Sequence, residues 1–287
     1  PVYNYGLGAN SIPQPKYLID KVKEYSNKKY YTSSEGVDEL NKAIKNNFTT
    51  NNYTVDKVLF GNGLKELLFV VQLCFEGKIL HITPSWLSYK EQINILKKQD
   101  NLIEVKTTIE NNFKVDLELL EKLLKENENH NKLILFNNPN NPTGLIYTPK
   151  EVEDMALILK KYNCIVFADE IYMNINHFNK IESISSFIPE LTIRGSSVSK
   201  DLACGGYRLG WITFPKSLNE LFLKCRAAAS SIYSCPCTPI QYACADMLKN
   251  KKELTKFFEY NNNVYKLISK KCCDILSKSK LKFIRPM

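Results

Sequence analysis

Arginine is nearly missing from this sequence. Only Arg194, Arg208, Arg226 and Arg285 appear among its 39 basic residues, so the net charge of +9 over 287 residues is almost wholly lysine. Surfaces that read nucleic acid gather Arg and Lys on one face with aromatic residues between them. Here the lysines are scattered among glutamates, as in KNKKELTK (249–256), and 29 asparagines mark a general drift toward Lys and Asn. A nucleic-acid partner is therefore not expected. Histidine is equally scarce, with His81, His130 and His177 far apart, and the nine cysteines are odd in number with no CxxC pair. That pattern lacks the spacing of a zinc site, so no metal is expected. Cys272-Cys273 and Cys235-Pro236-Cys237 read as buried or incidental thiols of a reduced, cytoplasmic protein. Apolar runs are short. LLFVVQLCF (67–75) cannot span a bilayer, and Pro1-Val2-Tyr3 has no charged-then-apolar leader pattern, so no membrane association is expected. No period of 20 to 50 residues repeats, and no low-complexity linker divides the chain.

What is present is ordinary globular material, 44% hydrophobic and 24% charged, which excludes disorder, collagen, coiled coil and a disulfide-stapled mini-protein. From about residue 36 to 215, helical periodicity alternates with β-branched runs. This is the pattern of a mostly parallel sheet covered on both faces by helices, an α/β three-layer fold. The strands are expected at KVLF (57–60), KILHIT (78–83), LIEVKT (102–107), KLILFN (132–137), CIVFAD (164–169), LTIRGS (191–196) and LGWITF (209–214). Between them, DLELLEKLLKEN (116–127) keeps Leu117, Leu120 and Leu124 on one face. A second helix opens at Thr148 as N-cap, with Pro149 in the first turn and Glu151 at the capping-box position. After 215 the chain turns helical, with a long helix from about Lys251 to Lys278 and a last short strand, LKFI (281–284). The expected organisation is an N-terminal segment (1–30) contributing to a small domain and to dimer contacts, a large domain (31–250), and the start of a small α/β domain (251–287), incomplete at its C-terminus.

Four features fall at the carboxyl ends of these strands, where a doubly wound sheet binds its ligand. Gly61-Asn62-Gly63-Leu64-Lys65 closes the first strand and opens a helix, whose N-terminal N–H groups and dipole suit an anion. Asn138-Pro139-Asn140-Asn141-Pro142-Thr143-Gly144 fixes a rigid loop that can hold the Asn141 side chain toward a ligand. Asp169-Glu170-Ile171-Tyr172 follows a wholly apolar run. A carboxylate there is costly unless it meets a cation such as a protonated ring nitrogen, and Tyr172 can present its phenol to the same ligand. Ser197-Val198-Ser199-Lys200 is followed eight residues later by Arg208. That lysine suits Schiff-base chemistry if its pKa is lowered, and Arg208 suits a phosphate clamp. Taken singly, each has a plainer reading: a turn glycine, an Asn-Pro turn, a capping aspartate, a solvated lysine with a structural arginine.

Together they resemble the class I/II aminotransferases, the fold type I pyridoxal-phosphate enzymes. The resemblance rests on NNPTG, DEIY, SVSK and RLG in that order, with 28 residues from Asn141 to Asp169 and 31 from Asp169 to Lys200. It implies pyridoxal 5′-phosphate as cofactor, an L-amino acid and a 2-oxo acid as substrates, and ping-pong transfer of the amino group. By resemblance, Lys200 is the Schiff-base lysine and proton shuttle. Asp169 pairs with the ring nitrogen, and Asn141 and Tyr172 hydrogen-bond the ring 3′-oxygen. The phosphate sits on the backbone of Gly63, Leu64 and Lys65 with Ser197, Ser199 and Arg208 around it. Trp86, in Pro84-Ser85-Trp86-Leu87-Ser88-Tyr89, matches the aromatic stacked on the ring, although a core tryptophan reads the same on composition. Tyr31 matches the tyrosine that reaches the phosphate of a neighbouring subunit, which implies a homodimer with shared sites. Gly8 lies near the substrate carboxylate. The substrate-facing residues are then Gly8, Trp86 and Asn141.

The sequence also departs from the family. The arginine that clamps the substrate carboxylate belongs to a position beyond Ile284-Arg285-Pro286-Met287, and Arg285 comes too early in the motif order to replace it. The expectation is a natural protein that continues past Met287, or a form deficient in substrate binding, and the first residues likewise look clipped. The rival readings are a β-lyase or decarboxylase on the same fold, a catalytically silent fragment, and a cofactor-sensing regulator. The last needs a DNA-binding domain before Tyr31, for which too few residues are present.

Overall fold

Among the described residues, seven strands form where the apolar runs were expected: β1 (Lys57–Gly61), β2 (Lys78–Thr83), β3 (Leu102–Lys106), β4 (Lys132–Asn137), β5 (Cys164–Asp169), β6 (Thr192–Ser197) and β7 (Gly210–Phe214). The computed structural model describes residue 8 and residues 10–176 and 181–285. His177 lies outside the described residues, as do Pro286 and Met287 of the C-terminal string and residues 1–7 and 9. The sheet order is β1-β7-β6-β5-β4-β2-β3. Strands β3, β2, β4, β5 and β6 run parallel, while β7 is antiparallel to both β6 and β1. Strand β2 is followed outward by β3, and β4 lies on its other side. The crevice between the carboxyl ends of β2 and β4 is therefore a topological switch point.

Among the described residues, ten α-helices accompany the sheet: α1 (Lys16–Glu24), α2 (Asp38–Phe48), α3 (Leu64–Cys74), α4 (Ser88–Ile95), α5 (Leu117–Glu126), α6 (Pro149–Lys161), α7 (Val198–Asp201), α8 (Asn219–Ile232), α9 (Thr238–Lys249) and α10 (Lys251–Leu276). Strand alternation sorts β4 between two cores. Leu133 and Leu135 pack with Leu67 and Leu68 of α3 and Phe222 of α8, and Ile134 and Phe136 pack with Leu120 and Leu124 of α5 and Val152 and Met155 of α6. This is the expected three-layer arrangement. A third core joins α1, α2, α9 and the start of α10 to Phe60 and Trp211 at the β1/β7 edge. Local signals are met as well. The Thr148–Glu151 capping box forms with Pro149 at the helix start, and Asp116 caps α5 by accepting from the N–H groups of Glu118 and Leu119.

One element is corrected. LKFI (281–284) forms no strand, and Leu281 stands 67% exposed with no sheet partner among the described residues. Four apolar-rich residues have strand propensity, but a strand exists only when a neighbour supplies its hydrogen bonds.

Candidate active site

Helix α3 begins at a turn that only glycine can make. Gly63 has φ +98°, and a Cβ there would lie 2.5 Å from the Arg208 guanidinium. Gly210 packs beneath the same turn, where a Cβ would meet the Leu64 backbone nitrogen at 2.5 Å. No side chain caps the first turn of α3, so its N–H groups stay available. Leu64 itself is buried, leaving only its backbone to offer. Arg208, in the left-handed conformation (φ 53°), donates to the carbonyls of Gly205 (2.9 Å) and Asn62. No carboxylate pairs with it among the described residues. A free cation beside an uncapped helix N-terminus is what a phosphate group requires.

At the end of β5, Asp169 is buried. Its Oδ2 accepts from the Tyr89 phenol at 2.7 Å and its Oδ1 from the Ile171 N–H at 3.2 Å. Burial pushes its carboxyl up to about 6, against the opposing effect of Tyr89. No cation contacts it among the described residues. Asn137, opposite Asp169 in the β4–β5 register, donates to the Asp169 carbonyl (2.9 Å) and accepts from the Asn141 N–H (2.7 Å). Asn141 Nδ2 in turn reaches Tyr172 Oη at 3.5 Å. The Tyr172 phenol is raised to about 12, first by burial and then by the Asp169 charge.

Lys200 sits in α7, whose N-cap Ser197 accepts from the Ser199 N–H. Its Nζ donates to the Gly8 carbonyl and lies 6.0 Å from the centroid of the Tyr172 ring. Burial lowers its pKa, and no acid pairs with it among the described residues. Trp86 is half-buried, edge-on to Tyr89 with ring centroids 5.7 Å apart, and Lys65 Nζ lies 4.9 Å from its centroid. The structure thus links Asp169, Asn141, Tyr172, Lys200 and Gly8 in one set of contacts. Gly63, Leu64 and Arg208 form a second group, and Lys65 joins it to Trp86. Tyr31 joins neither group: it is 91% exposed on the surface of the chain.

The residues present fit pyridoxal phosphate on three independent observations. These are an anion cradle that a Cβ at Gly63 would fill, a buried carboxylate awaiting a cation, and a deprotonation-prone lysine amine. A family model confirms the match, since the description "aminotransferase class I and II" covers residues 3–287. The chain belongs to that family. Among curated relatives, it is 26% identical over 269 residues to an aspartate aminotransferase of Sulfolobus acidocaldarius, covering 90% of this chain and 66% of the relative. It is 29% identical over 284 residues to an asparagine–oxo-acid transaminase of Streptococcus mutans, covering 91% and 70%. A solved aromatic aminotransferase of Pyrococcus horikoshii superposes with a TM-score of 0.88 at 26% identity, over 98% of this chain and 76% of that one. The chain therefore spans about two thirds of the length of these curated relatives. Family members of the aspartate aminotransferase type use pyridoxal phosphate, as the motif resemblance implies.

Sequence reasoning passed over three residues of the site. Tyr89 holds Asp169 from one helical turn past Trp86, in the same quoted string, and that spacing was the available signal. Asn137 was read only as the last residue of a strand. Asp201, next to Lys200, carried no motif of its own. It is buried, accepts from Asn174 Nδ2 at 2.8 Å, and has its carboxyl pushed up to about 7 by burial.

Proposed function

We propose that this protein is an aminotransferase that moves an amino group between an L-amino acid and a 2-oxo acid with pyridoxal phosphate held at Lys200. The observation that carries this reading is a half-buried lysine, Lys200, and a buried carboxylate, Asp169, on either side of Tyr172 and Asn141, neither with an ion partner among the described residues. Pyridoxal phosphate, when bound, supplies a ring that takes up the electron pair released at the substrate Cα and an aldehyde carbon that carries the amino group. Asp169 would hold a proton on the ring nitrogen, an ion pair that offsets the cost of burying its charge. Asn141 and Tyr172 would bind the ring oxygen between them, and the backbone of Gly63, Leu64 and Lys65 with Ser197, Ser199 and Arg208 would bind the phosphate. Lys200 would bind the aldehyde carbon and, once displaced by the substrate amine, move the Cα proton, a task that its lowered pKa supports. Trp86 would cover the ring and exclude water.

The relatives' names support a short acidic or amide amino acid as donor. The exposed Lys65 ammonium beside Trp86 is a cation suited to such a side chain. We further propose a homodimer, with Tyr31 reaching its partner's site, in a reducing cytoplasmic setting where all nine cysteines stay free as they are here. The expected domain division at about 30 and 250 belongs to the same proposal. No helix among the described residues is long and apolar enough to cross a membrane.

The test is spectroscopic. Adding L-aspartate to the holoprotein should abolish the visible band of the bound cofactor, and a 2-oxo acid should restore it. Lys200→Ala should bind the cofactor but lose turnover by about a thousandfold or more. Normal transamination by that variant refutes the assignment, and release of pyruvate and ammonia from a cysteine-like substrate replaces it with a β-lyase.

A further inference from the structure

Asp201 has no role in the reaction described above, yet it is buried immediately after Lys200 with no cation against it among the described residues. Its Oδ2 accepts a 2.8 Å hydrogen bond from Asn174, while its Oδ1 has no hydrogen-bond partner among the described residues. Asn174 ends the turn at 171–174 and lies two residues past Tyr172. The backbone bonds of that turn, Met173 N–H to the Glu170 carbonyl and Ile175 N–H to the Tyr172 carbonyl, are internal to it. They fix its shape and not its place relative to α7.

The Glu170 N–H to Gly195 carbonyl bond (2.9 Å) ties the start of the turn to β6, and side chains set the rest of its place. Asp201 holds Asn174 from the α7 side, and Asn262 of α10 donates to the Asn174 carbonyl (3.0 Å) while accepting from the Asn176 N–H (3.1 Å). One residue away on α10, the buried Asn261 accepts from Asn10 (3.4 Å), which also donates to the Lys200 carbonyl (3.3 Å). The Tyr172 turn and the Lys200 helix are thus pinned to each other by Asp201 and to α10 by two consecutive asparagines. An uncompensated buried carboxylate is a costly way to fill space, but its Oδ2 holds the Tyr172 turn against α7 through Asn174.

We infer that Asp201 is a positioning residue: through Asn174 it fixes the turn that carries Tyr172 relative to the helix that carries Lys200. The inference rests on the roles proposed for those two residues. Displacing the phenol by about an ångström weakens its hydrogen bond to the cofactor ring oxygen. More negative charge then faces the nitrogen held by Lys200, and that nitrogen keeps its proton to higher pH.

The test follows the pH midpoint of the bound cofactor's visible absorbance in the holoprotein, with borohydride reduction and peptide mass locating the covalent attachment. Asn174→Ala and Asp201→Ala should keep attachment at Lys200 and raise the midpoint by about one unit, a tenfold change in the protonation equilibrium. Asp201→Asn, whose side-chain carbonyl still accepts from Asn174, should restore the wild-type midpoint. On a Tyr172→Phe background, Asn174→Ala should shift nothing further, because the effect passes through the phenol. An unchanged midpoint in Asn174→Ala, a full shift surviving on Tyr172→Phe, or an Asp201→Asn shift as large as that of Asp201→Ala overturns the inference. If Asp201→Ala does not fold, Asn174→Ala and the double variant decide it. Attachment of the wild-type cofactor at a residue other than Lys200 is a separate outcome that overturns the reading of Lys200 and the inference with it.

Discussion

At the amino ends of the strands, Lys132 is buried with its ammonium against three carbonyls, those of Asn127 (3.4 Å), Glu128 (3.2 Å) and His130 (2.7 Å), whereas at the carboxyl ends Lys200 has the single carbonyl of Gly8. Lys98 repeats the first pattern at the end of α3, donating to Gln72, Leu73 and Phe75. Two neighbouring acids at the carboxyl end of β5 show the same contrast side by side, one completed and one not. Glu170 meets Arg194 through Nε (2.9 Å) and Nη2 (2.8 Å), while its neighbour Asp169 meets only a phenol and an N–H. One end of the sheet completes its charges internally, closing helix C-termini that would otherwise expose carbonyls. The other end leaves a lysine, an arginine and a carboxylate without ion partners among the described residues. The unfinished charges, more than any motif, distinguish the working end of the fold.

The largest expected effect separates Asp169 from Glu170. Asp169→Asn should lower turnover by about a hundred- to a thousandfold, the usual loss when a charge aimed at developing charge is removed, with no loss of stability. Glu170→Gln should do the opposite: it strands Arg194, costs about 3 kcal/mol in a denaturant melt, and changes the turnover of the folded fraction severalfold at most. Equal rate losses in the two variants would erase the distinction between neighbouring carboxylates.

Much of this contrast was legible before the structure. The ends of β2, β4 and β5 coincide with their apolar runs because each run is bounded by residues that cannot stay in a sheet interior. Asp169 stood out because a charge follows CIVFA directly. The direction of β7 was not legible, since Gly-Trp-Ile-Thr-Phe alternates identically read either way and its antiparallel pairing depends on the path of the chain. Tyr89 and Asp201 escaped for a related reason. Each acts through one contact across a long sequence separation, and nothing local to a tyrosine in a helix or an aspartate after a lysine reports that contact. Tyr31 shows the converse limit, a motif match that stands exposed and apart from both groups of site residues. LKFI (281–284) shows propensity without pairing.

A smaller effect tests the incomplete charges through stability. Asp169 is raised from 3.8 to about 6 and Asp201 to about 7, both by burial. In a carboxyl whose folded pKa is raised, the unfolded chain releases its proton first. These two groups therefore favour the fold most below about pH 4, and that contribution is lost as pH rises through 6 and 7. For Asp169, two units correspond to about 3 kcal/mol. Melts of the cofactor-free protein should show wild type losing ground to Asp169→Asn as pH rises from 4 to 7.5, with the difference shrinking when pyridoxal phosphate is added. A difference that stays flat across that window would mean that Asp169 is already compensated within the chain.

The smallest effect belongs to the satisfied end. Lys132→Met keeps the aliphatic stem and removes the ammonium, leaving the carbonyls of Asn127, Glu128 and His130 to nearby solvent. Each lost charged hydrogen bond would cost 1 kcal/mol or more if its acceptor stayed dry. These acceptors lie where α5 ends at the surface, so water recovers part of the loss, and the net expectation is about 1–2 kcal/mol of stability. Turnover and the cofactor's absorbance midpoint should not move, because no bond of Lys132 reaches the carboxyl ends of the strands. A loss of turnover in a stably folded Lys132→Met protein would show that the two ends of the sheet are electrostatically coupled, and the division between completed and incomplete charge would then be one network spanning the sheet.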